Sequence, residues 1–250
     1  MKNVLIINDF VSLGKIAGKM MEAVLSYKGH RVFFLPTALI ANNFSYGKNA
    51  ILDCTSYLKD SLKNWDDLDF TFDLIFIGYI HNKYQRDIIS SYIKDLDYQI
   101  KVVFDPIMGD NGKLYKGVDE NILDIYRSMV GLADIITPNA TEAKFLNIDF
   151  DKFKKSGKKY LITSTIEDEK YFVDGYDGYD FRVPFKKLPQ RLGGTGDLFD
   201  GLFIAFYLDG LAIEDASRKS VQLISQIYEE VIKYSTDGNI NIEKYLGLLI

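Results

Sequence analysis

The sequence predicts an α/β protein of three layers, α/β/α, with a mostly parallel central sheet and an antiparallel hairpin at one edge. Three observations predict it. Six short apolar runs recur at steady intervals along the 250 residues, and amphipathic stretches lie between them. After residue 165 the cadence changes to two alternating runs around a glycine-containing turn, followed by long helical patterns.

The runs are Val4–Ile7, Arg31–Leu35, Leu74–Gly78, Val102–Phe104, Ile135–Ile136 and Tyr160–Thr163. Each is short and dominated by Val, Ile, Leu or Phe, the composition of strands buried on both faces. The stretches between them, Ile16–Tyr27, Lys48–Leu62, Tyr84–Leu96, Asn121–Gly131 and a brief one over Glu142–Leu146, are predicted helices. Lys170–Val173 and Phe181–Phe185 alternate on either side of Asp174-Gly175-Tyr176-Asp177-Gly178, which predicts the edge hairpin. Helices follow at Leu198–Leu208 and Ile213–Tyr234, with a last short one over Ile242–Leu249. No linker, repeat or low-complexity segment interrupts the pattern, so residues 1–250 are expected to form a single domain.

A hydrophobic fraction of 47% is ample for a continuous core, and a net charge of -5 gives no basic footprint for nucleic acid. The single cysteine, Cys54, excludes an internal disulfide and suits a reducing compartment. It is expected to be an ordinary half-buried residue. The N-terminal run over residues 4–7 is too short for a signal peptide core, and no stretch approaches about 18 uncharged apolar residues. A cytoplasmic location with no membrane partner is the expectation.

In open α/β sheets, ligands bind beyond the carboxyl ends of the strands. The predicted strands end in Asn8-Asp9, Gly78-Tyr79, Asp105-Pro106, Thr137-Pro138-Asn139 and Thr163-Ser164. Each alone is ordinary loop punctuation. Five on one rim would surround one cleft.

Gly193-Gly194-Thr195-Gly196-Asp197 precedes the apolar run of a helix. Glycines there permit left-handed backbone and close approach to a ligand, and the free N–H groups of a helix start attract anions. Asp197 in the first turn reads equally as a cap or as a general base beside that anion site. Phosphoryl transfer needs mainly positioning and charge stabilisation, so a base and an anion hole suffice in kind. Other motifs fail. Gly14–Met20 has one residue too few for a P-loop and ends in Met20 where a Ser or Thr would hold magnesium. His30 and His81 are unrelated in position and imply no zinc site.

Three segments in this order carry a resemblance: Asp105-Pro106-Ile107-Met108-Gly109-Asp110, then Asp134-Ile135-Ile136-Thr137-Pro138-Asn139 with Glu142, then Gly194-Thr195-Gly196-Asp197. Asn8-Asp9-Phe10 with Gly14, Leu35-Pro36-Thr37-Ala38 and Asn42 followed by Tyr46-Gly47 add to it. Together they resemble the ribokinase-like superfamily, and within it the pyridoxal kinases, over almost the whole chain.

The resemblance implies a ribokinase-like fold and ATP-dependent phosphorylation of the 5′-hydroxymethyl group of a B6 vitamer (pyridoxal, pyridoxamine or pyridoxine) in pyridoxal 5′-phosphate salvage. It implies Asp197 as catalytic base, with Gly194, Thr195 and Gly196 as anion hole. Asp105, Asn139 and Glu142 would position magnesium, largely through water, and the ATP phosphates; Asp105 and Glu142 are the implied metal residues. Asp110 and Thr137 would lie near the triphosphate, and Thr163 and Ser164 along the nucleotide. Asp9, Phe44, Tyr79 and Asp197 would line the vitamer pocket. The implied cofactors are ATP and Mg2+, with a monovalent cation left open, and the implied assembly is a homodimer.

The departures fall on the vitamer side. Asp9 stands where Ser is common, Phe44 where a threonine usually touches the pyridine ring, and His81-Asn82 where a smaller pair is usual. Lys15 stands where His or Arg is more familiar. A hydroxymethylpyrimidine kinase is the runner-up; related pyrimidine phosphate kinases commonly carry Cys at the position of Asp197. A vitamer-binding protein without transfer activity is the third reading.

Overall fold

The structure, a computed structural model, describes residues 1–43, 46–116, 118, 121–187, 192–234 and 240–249. The chain begins with β1 (Asn3–Val11), α1 (Gly18–Tyr27), β2 (Arg31–Ile40), β3 (Ile51–Asp53) and α2 (Thr55–Asp67). It continues through β4 (Leu74–Ile77), α3 (Lys83–Asp95), β5 (Lys101–Phe104) and the small strands β6 (Gly109–Asp110) and β7 (Lys113–Leu114). Next come α4 (Asn121–Met129), β8 (Ile135–Ile136), α5 (Ala140–Leu146) and α6 (Phe150–Lys155). The last elements are β9 (Lys159–Glu167), β10 (Lys170–Tyr176), β11 (Asp180–Phe185), α7 (Thr195–Leu208) and α8 (Ile213–Tyr234).

Nine strands form one sheet in the order β11-β10-β9-β8-β5-β4-β1-β2-β3. The six inner strands from β9 to β2 pair in parallel, and β10, β11 and β3 add antiparallel edges. This is the predicted mostly parallel sheet with an edge hairpin. All six parallel strands therefore point their carboxyl ends at one rim.

Both faces of the sheet are buried, and β1 shows how. Val4 and Ile6 enter the core shared with α1, α7 and α8, whereas Leu5 and Ile7 enter the core shared with α2 to α6. A strand buried on both sides needs the unbroken apolar run seen in the sequence. Helix α7 is sunk deepest, with every residue from Leu198 to Phe206 buried. Phe203 stacks at 6.2 Å on Phe199 and at 5.9 Å on Tyr207 along that helix. Among the described residues no helix is long and apolar enough to cross a membrane.

The predicted helix Lys48–Leu62 is corrected. Its first part is the edge strand β3, paired with Ala38–Ile40 of β2. Helix α2 starts only after it, where the Asp53 carboxylate accepts from Thr55 N at 2.7 Å. The first strand also runs past Asn8-Asp9 to Val11, and the C-terminal helix is two 3-10 turns, Ile242–Lys244 and Leu246–Leu249. Cys54 is buried rather than half-buried, at 6% exposure.

Because Phe203 is fully buried at the centre of the α1–α7–α8 core, Phe203→Ala should cost about 3–5 kcal/mol. Urea denaturation followed by far-UV circular dichroism measures it; a loss below about 1 kcal/mol would contradict this packing.

Candidate active site

The rim of the sheet holds a cleft of about 720 Å3, within the size range of small-molecule sites. Asp9, Tyr79, Asp105, Asp110, Thr137, Asn139, Glu142, Thr163, Ser164, Gly194, Thr195, Gly196 and Asp197 all line it. Thirteen of the fourteen residues singled out in the sequence thus meet at one place. Phe44 lies outside the described residues.

Each is aimed by local structure. Asn8 is completely buried, and its Oδ1 accepts from Asp9 N and from Tyr79 N, both at 2.9 Å. One amide so fastens the ends of β1 and β4. Gly78 makes room for it, since a Cβ there would sit 2.6 Å from Asn8 Cγ. The register between β1 and β2 shifts between Asn8 and Phe10, so Asp9 sits at an irregularity. A second shift separates β9 from β10 opposite Thr163 and Ser164, and Ser164 takes a left-handed backbone with φ 60. Such bulges re-aim side chains within a strand, and β9 itself runs on to Glu167, past the predicted end at Thr163-Ser164. The Tyr79 hydroxyl is 3.1 Å from His81 Nδ1, and burial pushes it up to about 12.

Asn139 and Glu142 form a capping box at the start of α5. The Asn139 side chain accepts from Thr141 N and Glu142 N, and Glu142 Oε2 accepts from Asn139 N at 2.9 Å. Glu142 Oε1 accepts from Met108 N at 3.0 Å and Gly109 N at 3.3 Å, while Asn139 Nδ2 donates to Gly109 O at 2.8 Å. The two side chains therefore hold the loop that follows Asp105. Three of the roughly four lone-pair sites of the Glu142 carboxylate are spent on backbone N–H groups. That leaves it suited to reach a metal through water at most. Asp110 accepts from Asn111 N at 2.7 Å at the β6–β7 turn.

The glycine turn opens α7 as the sequence predicts. Gly194 is its N-cap with φ 82, and a Cβ there would lie 2.9 Å from Ile16 Cγ2. Leu198 N donates to Gly194 O in the first helical bond, so helix geometry leaves the N–H groups of Thr195 and Gly196 over for a ligand. A Cβ on Gly196 would meet no atom within 4 Å. Asp197 Oδ2 accepts from Ala17 N at 2.8 Å. Ala17 itself adopts φ 54, a costly conformation for a residue with a side chain.

Asp200 is the residue the sequence reading missed. It lies one helical turn after Asp197, lines the same cleft and is 2% exposed. The signal was present: it is the one charged residue within the apolar run Leu198–Leu208. Residues three apart share a helix face, so it follows Asp197 toward the rim.

Six carboxyl groups line the cleft, and five of them are buried together: Asp9, Asp105, Glu142, Asp197 and Asp200. Burial raises all five pKa values, and mutual repulsion adds to this for four of them. Asp9 is pushed up to about 7 by burial and by the Asp197 charge. Asp200 is pushed up to about 8 by burial, with contacts to Asp105 and Thr137 working the other way. Asp105 is raised by burial, by the Asp200 charge and by donating a shared proton toward Asp200. Glu142 is raised by burial and Asp105 despite its three backbone donors. Asp197 is raised by burial, and the Ala17 N–H opposes the shift.

Asp9 gives a pH test. Its folded pKa near 7 exceeds the unfolded value near 3.8, so the folded protein binds the extra proton between those values. Stability from that proton is fully present below the unfolded pKa and lost as pH rises through about 7. Asp9→Asn, which mimics the neutral acid, should therefore gain thermal stability over wild type at pH 8 but not at pH 4. A difference in melting temperature independent of pH would contradict the assignment.

Comparison with known proteins follows the same lines. The model of the phosphomethylpyrimidine kinase family matches residues 26–240. A Schizosaccharomyces pombe protein provisionally named pyridoxal kinase C6F6.11c is 28% identical over 98% of this chain and 89% of its own length. A Bacteroides thetaiotaomicron protein, provisionally a phosphomethylpyrimidine kinase and crystallised with pyridoxal, superposes with a TM-score of 0.90 at 29% identity. That match covers 99% of this chain and 95% of the other. Pyridoxal kinase from Lactobacillus plantarum has the same fold, with a TM-score of 0.90 at 24% identity over 100% of this chain and 96% of its own. The fold is therefore ribokinase-like, and the chain is a kinase that belongs to the pyridoxal kinase family, within the group that the phosphomethylpyrimidine kinase model describes.

Proposed function

We propose that the protein transfers the γ-phosphoryl group of ATP to the 5′-hydroxymethyl group of a B6 vitamer, with residues 1–250 acting as one kinase unit in vitamer salvage. The observation that carries this reading is Asp197, a carboxyl with a raised pKa in the first turn of α7, where the N–H groups of Thr195 and Gly196 have no intrahelical partner. A general base needs a pKa near the working pH and a position beside the proton it takes. Its Oδ2 is held by Ala17 N, which fixes the direction of the carboxyl.

The chemistry balances as follows. Asp197 accepts the proton of the substrate hydroxyl, and the hydroxyl oxygen forms a bond to the γ-phosphorus. The bond from that phosphorus to the β–γ bridging oxygen breaks, and ADP leaves. The N–H groups at Gly194–Gly196 receive the negative charge that spreads over the equatorial phosphoryl oxygens. Thr137, Asp110, Thr163 and Ser164 border the nucleotide side of the cleft in this reading, and Asp9 and Tyr79 the vitamer side. Magnesium fits beside Asp105, and it would supply neutralisation of phosphate charge. Glu142 serves it by holding the Asp105–Asp110 loop in place. A homodimer in the cytoplasm completes the reading.

Steady-state kinetics with pyridoxal, pyridoxamine, pyridoxine and hydroxymethylpyrimidine test it. One of the B6 vitamers should give the highest kcat/KM, and Asp197→Asn should lower kcat by about 10^2–10^4 with the fold intact. Preference for the pyrimidine, or full turnover in the variant, would overturn the reading.

A further inference from the structure

Helix α7 carries an acid that neither its packing nor the proposed base chemistry requires. Asp200 is 2% exposed in a helix otherwise apolar from Leu198 to Leu208. Its Oδ1 makes no hydrogen bond, and neither does Oγ1 of Thr137, which is 3% exposed. Both residues line the cleft, next to Asp105 at the end of β5. The Asp200 carboxyl meets Asp105 but leaves Oδ1 unsatisfied, and a buried polar atom left so costs about 1–3 kcal/mol. An ordinary helix–sheet contact would be made better by Ala or Leu.

Glu142 cannot fill the role of a directly bonded acid here, because Met108, Gly109 and Asn139 N–H groups already occupy it. The oxygens grouped with Asp200 are those of Asp105 and Thr137. Two carboxyl groups and a hydroxyl are hard donors, and once a divalent cation displaces the proton that Asp105 shares with Asp200 their two negative charges balance it. No group of three His, Cys, Asp or Glu side chains among the described residues has metal-holding geometry. Magnesium keeps several waters and takes one or two carboxylates together with substrate phosphates.

We propose that Asp200 is a direct ligand of the divalent cation used with the nucleotide, paired with Asp105 and aided by Thr137 Oγ1. The proposal rests on the kinase reading for its nucleotide, but the site is defined by these three side chains alone. It also assigns the metal's second carboxylate to α7, the helix that carries Asp197, so one rigid element sets the separation of cation and base.

The test is electron paramagnetic resonance titration of Mn2+ into the nucleotide-free protein. Wild type should bind one Mn2+ per chain, displaced by Mg2+ and not by K+ at equal concentration. Asp200→Asn should weaken Mn2+ at least tenfold, as should Asp105→Asn, with melting temperature and circular dichroism retained. Asp200→Ala serves as the second variant if the Asn form misfolds. In turnover assays Asp200→Asn should raise the Mg2+ requirement at least tenfold while the vitamer KM stays within a factor of two. Equal Mn2+ affinity in wild type and both Asp200 variants, no Mn2+ binding by wild type, or equal displacement by K+ would overturn the proposal. Mn2+ binding that depends on Asp200 in a protein that phosphorylates no B6 vitamer would leave the site standing and remove the vitamer reading instead.

Discussion

The hydrogen bond from Ala17 N to Asp197 Oδ2 joins residues 180 apart in sequence and closes the site. On one side of it, α7 is buried along nearly its whole length and cannot shift without disturbing a core. On the other, Ala17 holds a left-handed backbone just before α1. Strain of this kind persists only where surrounding packing over-determines it. Here the packing is the close approach of α1 and α7, where Gly201 lets the helices meet: a Cβ there would lie 3.2 Å from Met21 Cα. The bond also fixes one oxygen of the Asp197 carboxyl, which lines the cleft. Orientation of the base, the anion-binding helix start and the α1–α7 contact are one construction.

Against this rigid frame works an electrostatic load. Five buried carboxyl groups, those of Asp9, Asp105, Glu142, Asp197 and Asp200, crowd one cleft, and the low-dielectric surroundings raise their pKa values. A fold that only needed to be stable would not gather them, since each buried charge without a counter-charge is costly. The arrangement becomes economical once a cation and the N–H groups of α7 share the site with phosphate. In the proposed complex, anions would sit at the helix start and the cation among the acids, so that opposite charges would alternate across the cleft. Glu142 occupies a distinct place in this scheme. Its charge is answered by backbone donors, and its work is to hold the loop that carries Asp105 and Asp110.

Much of this was legible in the sequence because parallel sheets put function where strands end. Asp105, Thr137 and Thr163 follow apolar runs directly, so reading the runs as parallel strands was enough to bring them to one rim. Gly194–Asp197 was legible because glycines before an apolar helix have few other uses. Asp200 was not, since the surrounding residues read simply as a buried helix and its relation to Asp105 depends on the α7–β5 approach. The strand β3 was missed for a local reason: three residues within a helix-compatible stretch carry too little period to be separated from it. The left-handed turn at Ser164 was equally invisible, because the bulge that produces it arises from pairing between β9 and β10. Pairing irregularities belong to the partner strand as much as to the sequence that bends.

In the proposed reaction the Asp197 carboxyl and the α7 helix start move a phosphoryl group onto a primary alcohol. Phosphorus NMR of the product formed from pyridoxal and magnesium ATP tests it most directly. The account predicts a phosphate monoester resonance coupled to the 5′-methylene protons, formed in a one-to-one ratio with ADP. Inorganic phosphate released in step with ADP, with no phosphorus–methylene coupling for any of the three vitamers, would contradict it.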